Sequence, residues 1–116
     1  MDWENLDFNL CNVDLSNSIL LQELGLESYP DLSLIDNNQE KYNTVKDFFT
    51  EVVNKLQYLD NERDILFSKL RACEIDSQIY KDIKIDFIKT LYRSVIVDHQ
   101  RERAFEYLKN NKTNQK

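Results

Sequence analysis

Between Tyr42 and Cys73 apolar side chains return every three or four residues, at Val45, Phe49, Val52, Leu56, Leu59, Leu66 and Leu70, and no glycine or proline interrupts the run. A helix with that alternation carries one continuous apolar seam along its length. Arg63 fills the one gap. At such a position an arginine either fixes register against a partner's carboxylate or extends its head to water. Phe48, Val53 and Ile65 widen the seam beyond a two-stranded pattern, which predicts three or more helices packed together.

The rest of the chain is consistent with this. Gly25 and Pro30 are the only glycine and the only proline among 116 residues. Sheet folds need many tight turns, which those residue types commonly make. The expected fold class is therefore all-α: a long helical hairpin, or a coiled coil or helical bundle, with a short N-terminal helix. With 41% hydrophobic residues the composition is not that of a disordered chain. The length suits one domain with a modest core.

Three regions are expected. Residues 1–38 form an acidic N-terminal segment with a short helix over 14–25, capped by Asp14 or Ser16 and closed by Gly25 in the left-handed conformation. Beyond it Tyr29 is extended before Pro30, and Leu32, Leu34 and Ile35 pack along a neighbouring helix as the chain crosses. Residues 39–108 form the long helices, with a break at 72–77 where Asp76 or Ser77 caps a new helix; an unbroken helix is the alternative. Residues 109–116 lack an apolar anchor and are expected to fray.

The helix after the break has a stripe at Ile79, Ile83, Phe87, Leu91 and Val95, flanked by Ile75, Tyr80, Ile88, Tyr92 and Ile96. That is too wide for one helical neighbour, and the surplus argues for a protein partner, as a homo- or hetero-oligomer.

The net charge of −6 is unevenly distributed: residues 1–40 hold nine acidic groups and no Lys or Arg. Within them Trp3, Leu6 and Leu10 fall on one helical face, with Phe8 off that line. Such a strip suits helix-in-groove recognition, with acidic flanks meeting a basic rim. Packing of Trp3 on the chain's own helices is the structural alternative. The expected protein-binding residues are Trp3, Leu6, Phe8, Leu10, Phe49, Val52, Leu56, Leu59, Arg63, Leu66 and Leu70.

Catalytic signals are weak. His99 is the only histidine; Asp98 and Glu102 lie near it, but no serine or cysteine nucleophile stands at a local spacing. Asp60 with Asp64, Asp82 with Asp86, and Glu102 with Glu106 recur at one helical turn, which reads best as solvated faces among Lys and Arg. Cys11 and Cys73 make neither a disulfide framework nor a zinc pattern, and Cys73, on the seam, is expected to be a buried thiol. There is no glycine-rich phosphate loop. Neither enzyme activity nor a cofactor or metal is expected.

Lys84, Lys89, Arg93, Arg101, Arg103, Lys109 and Lys112 give the C-terminal helix a basic character diluted by acidic neighbours, sufficient for weak nucleic-acid contact only. Apolar runs are too short to span a membrane, and the start of the chain lacks a basic n-region, so an intracellular location, cytoplasmic or nuclear, is expected. The function this implies is a non-enzymatic helical subunit of a multi-protein assembly, pairing through the 45–73 seam and docking its acidic aromatic N-terminus. The alternative is a small helical regulator or inhibitor that binds another protein through residues 1–12.

Overall fold

A computed structural model describes residues 17–112. Their element order is α1 (Ser18–Glu23), a 3-10 turn (Leu32–Leu34), α2 (Asn38–Ala72) and α3 (Gln78–Asn111). α2 and α3 run antiparallel as a helical hairpin, each about 50 Å long at 1.5 Å per residue.

Each boundary has a local cause. α1 starts at Ser18 because Asn17, rather than Asp14 or Ser16, is its cap: the Asn17 Oδ1 accepts from the N–H groups of Ile19 (2.9 Å) and Leu20 (3.3 Å). Its other end closes through Gly25 at φ 67°, with Leu26 N–H donating to Leu21 O (2.8 Å) and Gly25 N–H to Gln22 O (3.1 Å). Those two bonds satisfy carbonyls that the helix end would leave open. The 3-10 turn is capped by Asp31, whose Oδ1 accepts from the Ser33 hydroxyl (2.6 Å) and N–H (3.0 Å); these bonds hold its carboxyl below the usual range.

Asn37 caps α2 by accepting from Glu40 N–H at 3.1 Å. Glu40 in the first turn and Lys69 and Arg71 in the last complement the helix dipole. The break falls where the periodicity fails, over 73–77, and Ser77 rather than Asp76 is the cap of α3, its Oγ accepting from Tyr80 N–H (3.1 Å) and donating to Glu74 O (2.7 Å). α3 runs on to Asn111, so 109–111 are helical and not frayed; the Asn111 amide donates to Tyr107 O at 2.8 Å.

The core has two parts. Leu20 and Leu21 of α1 and its C-cap Leu24 bury Ile88, Tyr92 and Ile96 of α3. Phe48, Val52 and Leu59 of α2 meet Val97 of α3, with Leu26, Leu56 and Tyr29 packed against them. The wide stripe of α3 is thus divided. Thr90, Val97 and Ala104 are buried on the side nearer α2, whereas Ile88, Tyr92 and Ile96 take the chain's own N-terminal helix. This corrects two expectations. The buried line of α3 is not Ile79 to Val95, for Ile79 is 65% exposed. Part of the surplus on mid-α3, at Ile88, Tyr92 and Ile96, is also covered by Leu20, Leu21 and Leu24 of the same chain.

Other members of the predicted core lie elsewhere. Ile65 is 51% exposed and does not widen the seam; it lies about 160° round the helix from Arg63 and about 140° from Leu70, past the reach of α3. Leu34 is exposed, while Leu32 and Ile35 are half-buried. Cys73 is half-buried at the α2 C-cap, because the helix ends before the seam can enclose it.

Candidate protein-interaction surfaces

The N-terminal segment is held on the hairpin by polar as well as apolar contacts. Leu24 and Glu27 lie where α1 has ended, so their carbonyls have no helical donor. The Arg93 guanidinium donates to Leu24 O (3.0 Å), and the buried Gln100 amide donates to Glu27 O (2.8 Å). Farther on, the Tyr29 ring and Phe48 form an edge-to-face pair with centroids 5.4 Å apart, and Arg103 stacks over the Tyr29 ring. Burial raises the Tyr29 hydroxyl above its ordinary pKa, the Arg103 charge opposing that and Tyr107 adding to it. Arg93, Gln100 and Arg103 were not among the expected binding residues. Their one sequence signal is spacing: they recur at seven and three residues along α3, on the flank that receives the crossing segment.

The expected seam residues are brought together, but inside the hairpin. Val52 and Leu59 are buried; Phe49, Leu56, Leu66 and Leu70 are half-buried. Phe49 stacks on Phe105 of α3, centroids 6.4 Å apart. Arg63 bridges two carboxylates of its own helix, Asp60 (3.4 Å) and Asp64 (3.6 Å), which draws its head to the surface and relieves their mutual repulsion. Trp3, Leu6, Phe8 and Leu10 lie outside the described residues.

Beside Leu24–Leu26, the described residues leave a cleft of about 370 Å³ between the long helices. Leu24, Leu26, Leu59 and Leu66 line it, with Glu62 and Arg93 among its charged residues. Beyond the cleft the hairpin tip has apolar residues in water: Ile75 in the connection is 73% exposed, and Ile79 opens α3 beside it.

The candidate chemical groups are dispersed. His99 is exposed, and its neighbours Asp98 and Glu102 are engaged by Arg101 at 3.0 and 3.8 Å. Among the described residues no group of three or more His, Cys, Asp or Glu gathers to hold a metal ion. Of the basic residues of α3, Arg93, Arg101 and Arg103 hold protein groups, which breaks up a continuous cationic stripe. Among the described residues no helix is long and apolar enough to cross a membrane. Comparison with protein-family models, with curated proteins and with solved structures found no match for the chain.

Proposed function

We propose that the chain is a non-enzymatic helical subunit of a multi-protein assembly, in the cytoplasm or nucleus. The 45–73 seam pairs with α3 to make a rod, and the rod presents apolar residues to other proteins. One observation carries the reading: Ile75 and Ile79 stand 73% and 65% exposed, together at one end of the molecule, while its middle is closed by its own N-terminal segment. Large aliphatic side chains grouped in water are the usual mark of a contact surface. Photo-crosslinking residues placed at 75 and 79 in cells test it. One discrete adduct shared by both positions, absent from a probe at exposed Gln57 and lost in Ile75→Asp/Ile79→Asp, supports it. Equal, non-specific labelling at all three positions refutes it.

A second reading is favoured by the closure of the seam within one chain. A hairpin that satisfies its own seam suits a free-standing regulator that engages its target through residues 1–12, where Trp3, Leu6, Phe8 and Leu10 sit among carboxylates. Removal of residues 1–12 then abolishes the adduct, and the tip substitutions leave it intact.

A further inference from the structure

The two broad faces of the hairpin differ. One carries the N-terminal segment: Phe48 turns to it and meets Tyr29. Phe49, about 100° further round the helix, takes the opposite face. There it stacks on Phe105, and nearer the tip Phe67 stacks on Phe87, centroids 6.0 Å apart. Both pairs span α2 and α3 in the same antiparallel register. Phe67 and Phe105 each remain 50% exposed.

Between the aromatic pairs lie two ion clusters. Arg63 holds Asp60 and Asp64, and Arg101 holds Asp98 and Glu102. The clusters are copies of one pattern. DNERDILF at 60–67 and DHQRERAF at 98–105 share Asp, Arg, an acidic residue and Phe at the same spacings, 38 residues apart, and Phe49 and Phe87 extend the match. Arg71, 5.8 Å from the Phe67 ring centre, occupies the position that Lys109 holds after Phe105. On antiparallel helices this repeat makes the face read the same from either end: aromatic pair, ion cluster, ion cluster, aromatic pair.

We propose that this face binds a second copy of the chain, giving a four-helix dimer. Association about a two-fold axis sets a patch against itself, so the patch must be self-complementary. Here a second copy laid in either direction brings aromatic pair onto aromatic pair and sets each arginine, held by carboxylates of its own helix, level with Val53 or Leu91 of the other copy. No unrelated partner would be required to have that order. Val53 and Leu91, half-buried and related by the same repeat, lie between the pairs and add apolar area to the patch. Eighteen residues separate the aromatic pairs on each helix, about 27 Å. Across two helices of about 10 Å each that is a footprint of about 550 Å² before side-chain relief, near the ~800 Å² of accessible surface that each partner commonly contributes. The inference deepens the proposed interaction role and rests on it only in part, because a monomeric chain can still bind a different protein at its tip.

Light scattering of the full chain over a wide concentration range tests it, together with Phe67→Glu/Phe105→Glu and a tip control, Ile75→Asp/Ile79→Asp. The wild type and the tip control are expected to be dimers. The phenylalanine variant, with unchanged helicity by circular dichroism, is expected to weaken the dimer at least about 100-fold. The four carboxylates outnumber the two arginines, so added salt is expected to tighten the dimer. In wild type, isotope-filtered nuclear Overhauser contacts between a labelled and an unlabelled copy are expected at the Phe67 and Phe105 rings, a readout that needs no variant to fold. A monomer at every concentration overturns the proposal and leaves the tip reading standing. So does a dimer that salt dissociates, which would place the acidic head of one copy on the basic helix of another. A dimer whose intermolecular contacts lie at Ile75 and Ile79 overturns it as well.

Discussion

The Arg103 guanidinium lies over the Tyr29 ring, 3.9 Å from its centre, and so joins the segment that crosses the hairpin to the last third of α3. Tyr29 also meets Phe48 in an edge-to-face pair, so the ring contacts both a cation and an aromatic neighbour. Cation–π contact at a partly covered site contributes about 1 kcal/mol. Arg103→Met keeps most of the aliphatic stem and removes the charge. It is expected to lower unfolding free energy by about 1 kcal/mol and to speed hydrogen exchange at residues 26–35, leaving 45–60 unchanged. Arg103→Lys should restore part of the loss. Equal exchange in wild type and Arg103→Met would show that the stacking holds nothing in place.

The same pair sets an alkaline limit. Burial, the largest influence on the Tyr29 hydroxyl, raises its pKa above the ordinary 10.0, and Arg103 only partly offsets the rise. The unfolded chain therefore releases this proton first as pH increases. The contribution is complete below about pH 10 and is lost as pH climbs through the higher folded-state value. Denaturation of wild type and Tyr29→Phe at about pH 9 and about pH 11 should show the wild type losing ground relative to the variant. A difference that is constant across that range would contradict a raised folded-state value.

Gly25 isolates a backbone effect. Its φ is 67°, and a Cβ added there would meet nothing within 4 Å. Gly25→Ala is thus expected to cost about 1 kcal/mol from the left-handed conformation alone, with no steric addition. Gly25→Asn should cost less, since asparagine tolerates that region better. Thermal melts of the two variants check the order. A much larger loss in Gly25→Ala would mean that the turn is crowded in solution.

Most of the secondary structure was legible because each signal was local. The spacing from Tyr42 to Leu70 specified α2, loss of rhythm with Ser77 in place specified the break, and Gly25 specified the end of α1. The partner of each apolar face was not legible. A wide stripe on α3 shows that more than one neighbour is needed, but Ile88, Tyr92 and Ile96 do not say whether that neighbour is another chain or Leu20, Leu21 and Leu24 of the same one. Periodicity places Ile65 and Ile79 in the core for a related reason: among the described residues no third element covers them, and spacing cannot report that. The bridging of Asp60 and Asp64 by Arg63 was within reach of local spacing alone. The 38-residue repeat was readable too, but it gains physical meaning only once the antiparallel register sets its two halves on one face.

Two polar side chains enclosed by α3 should respond to truncation with opposite signs. Gln100 is buried, and its amide donates to Glu27 O at 2.8 Å, supplying a carbonyl that has left the helix behind. Gln100→Ala removes that donor and leaves space beneath the crossing segment. It is expected to destabilise by about 1–3 kcal/mol, the usual cost of an abandoned buried partner. Ser94 is the contrary case: its Oγ is enclosed and has no hydrogen-bond partner. A hydroxyl in that state carries its desolvation cost with nothing returned, so Ser94→Ala should be neutral or stabilising by up to about 1 kcal/mol. Urea unfolding of both variants decides the matter. If Ser94→Ala were as harmful as Gln100→Ala, the Ser94 hydroxyl would have to hold a bond in solution, with an ordered water the first candidate to seek in a high-resolution crystal.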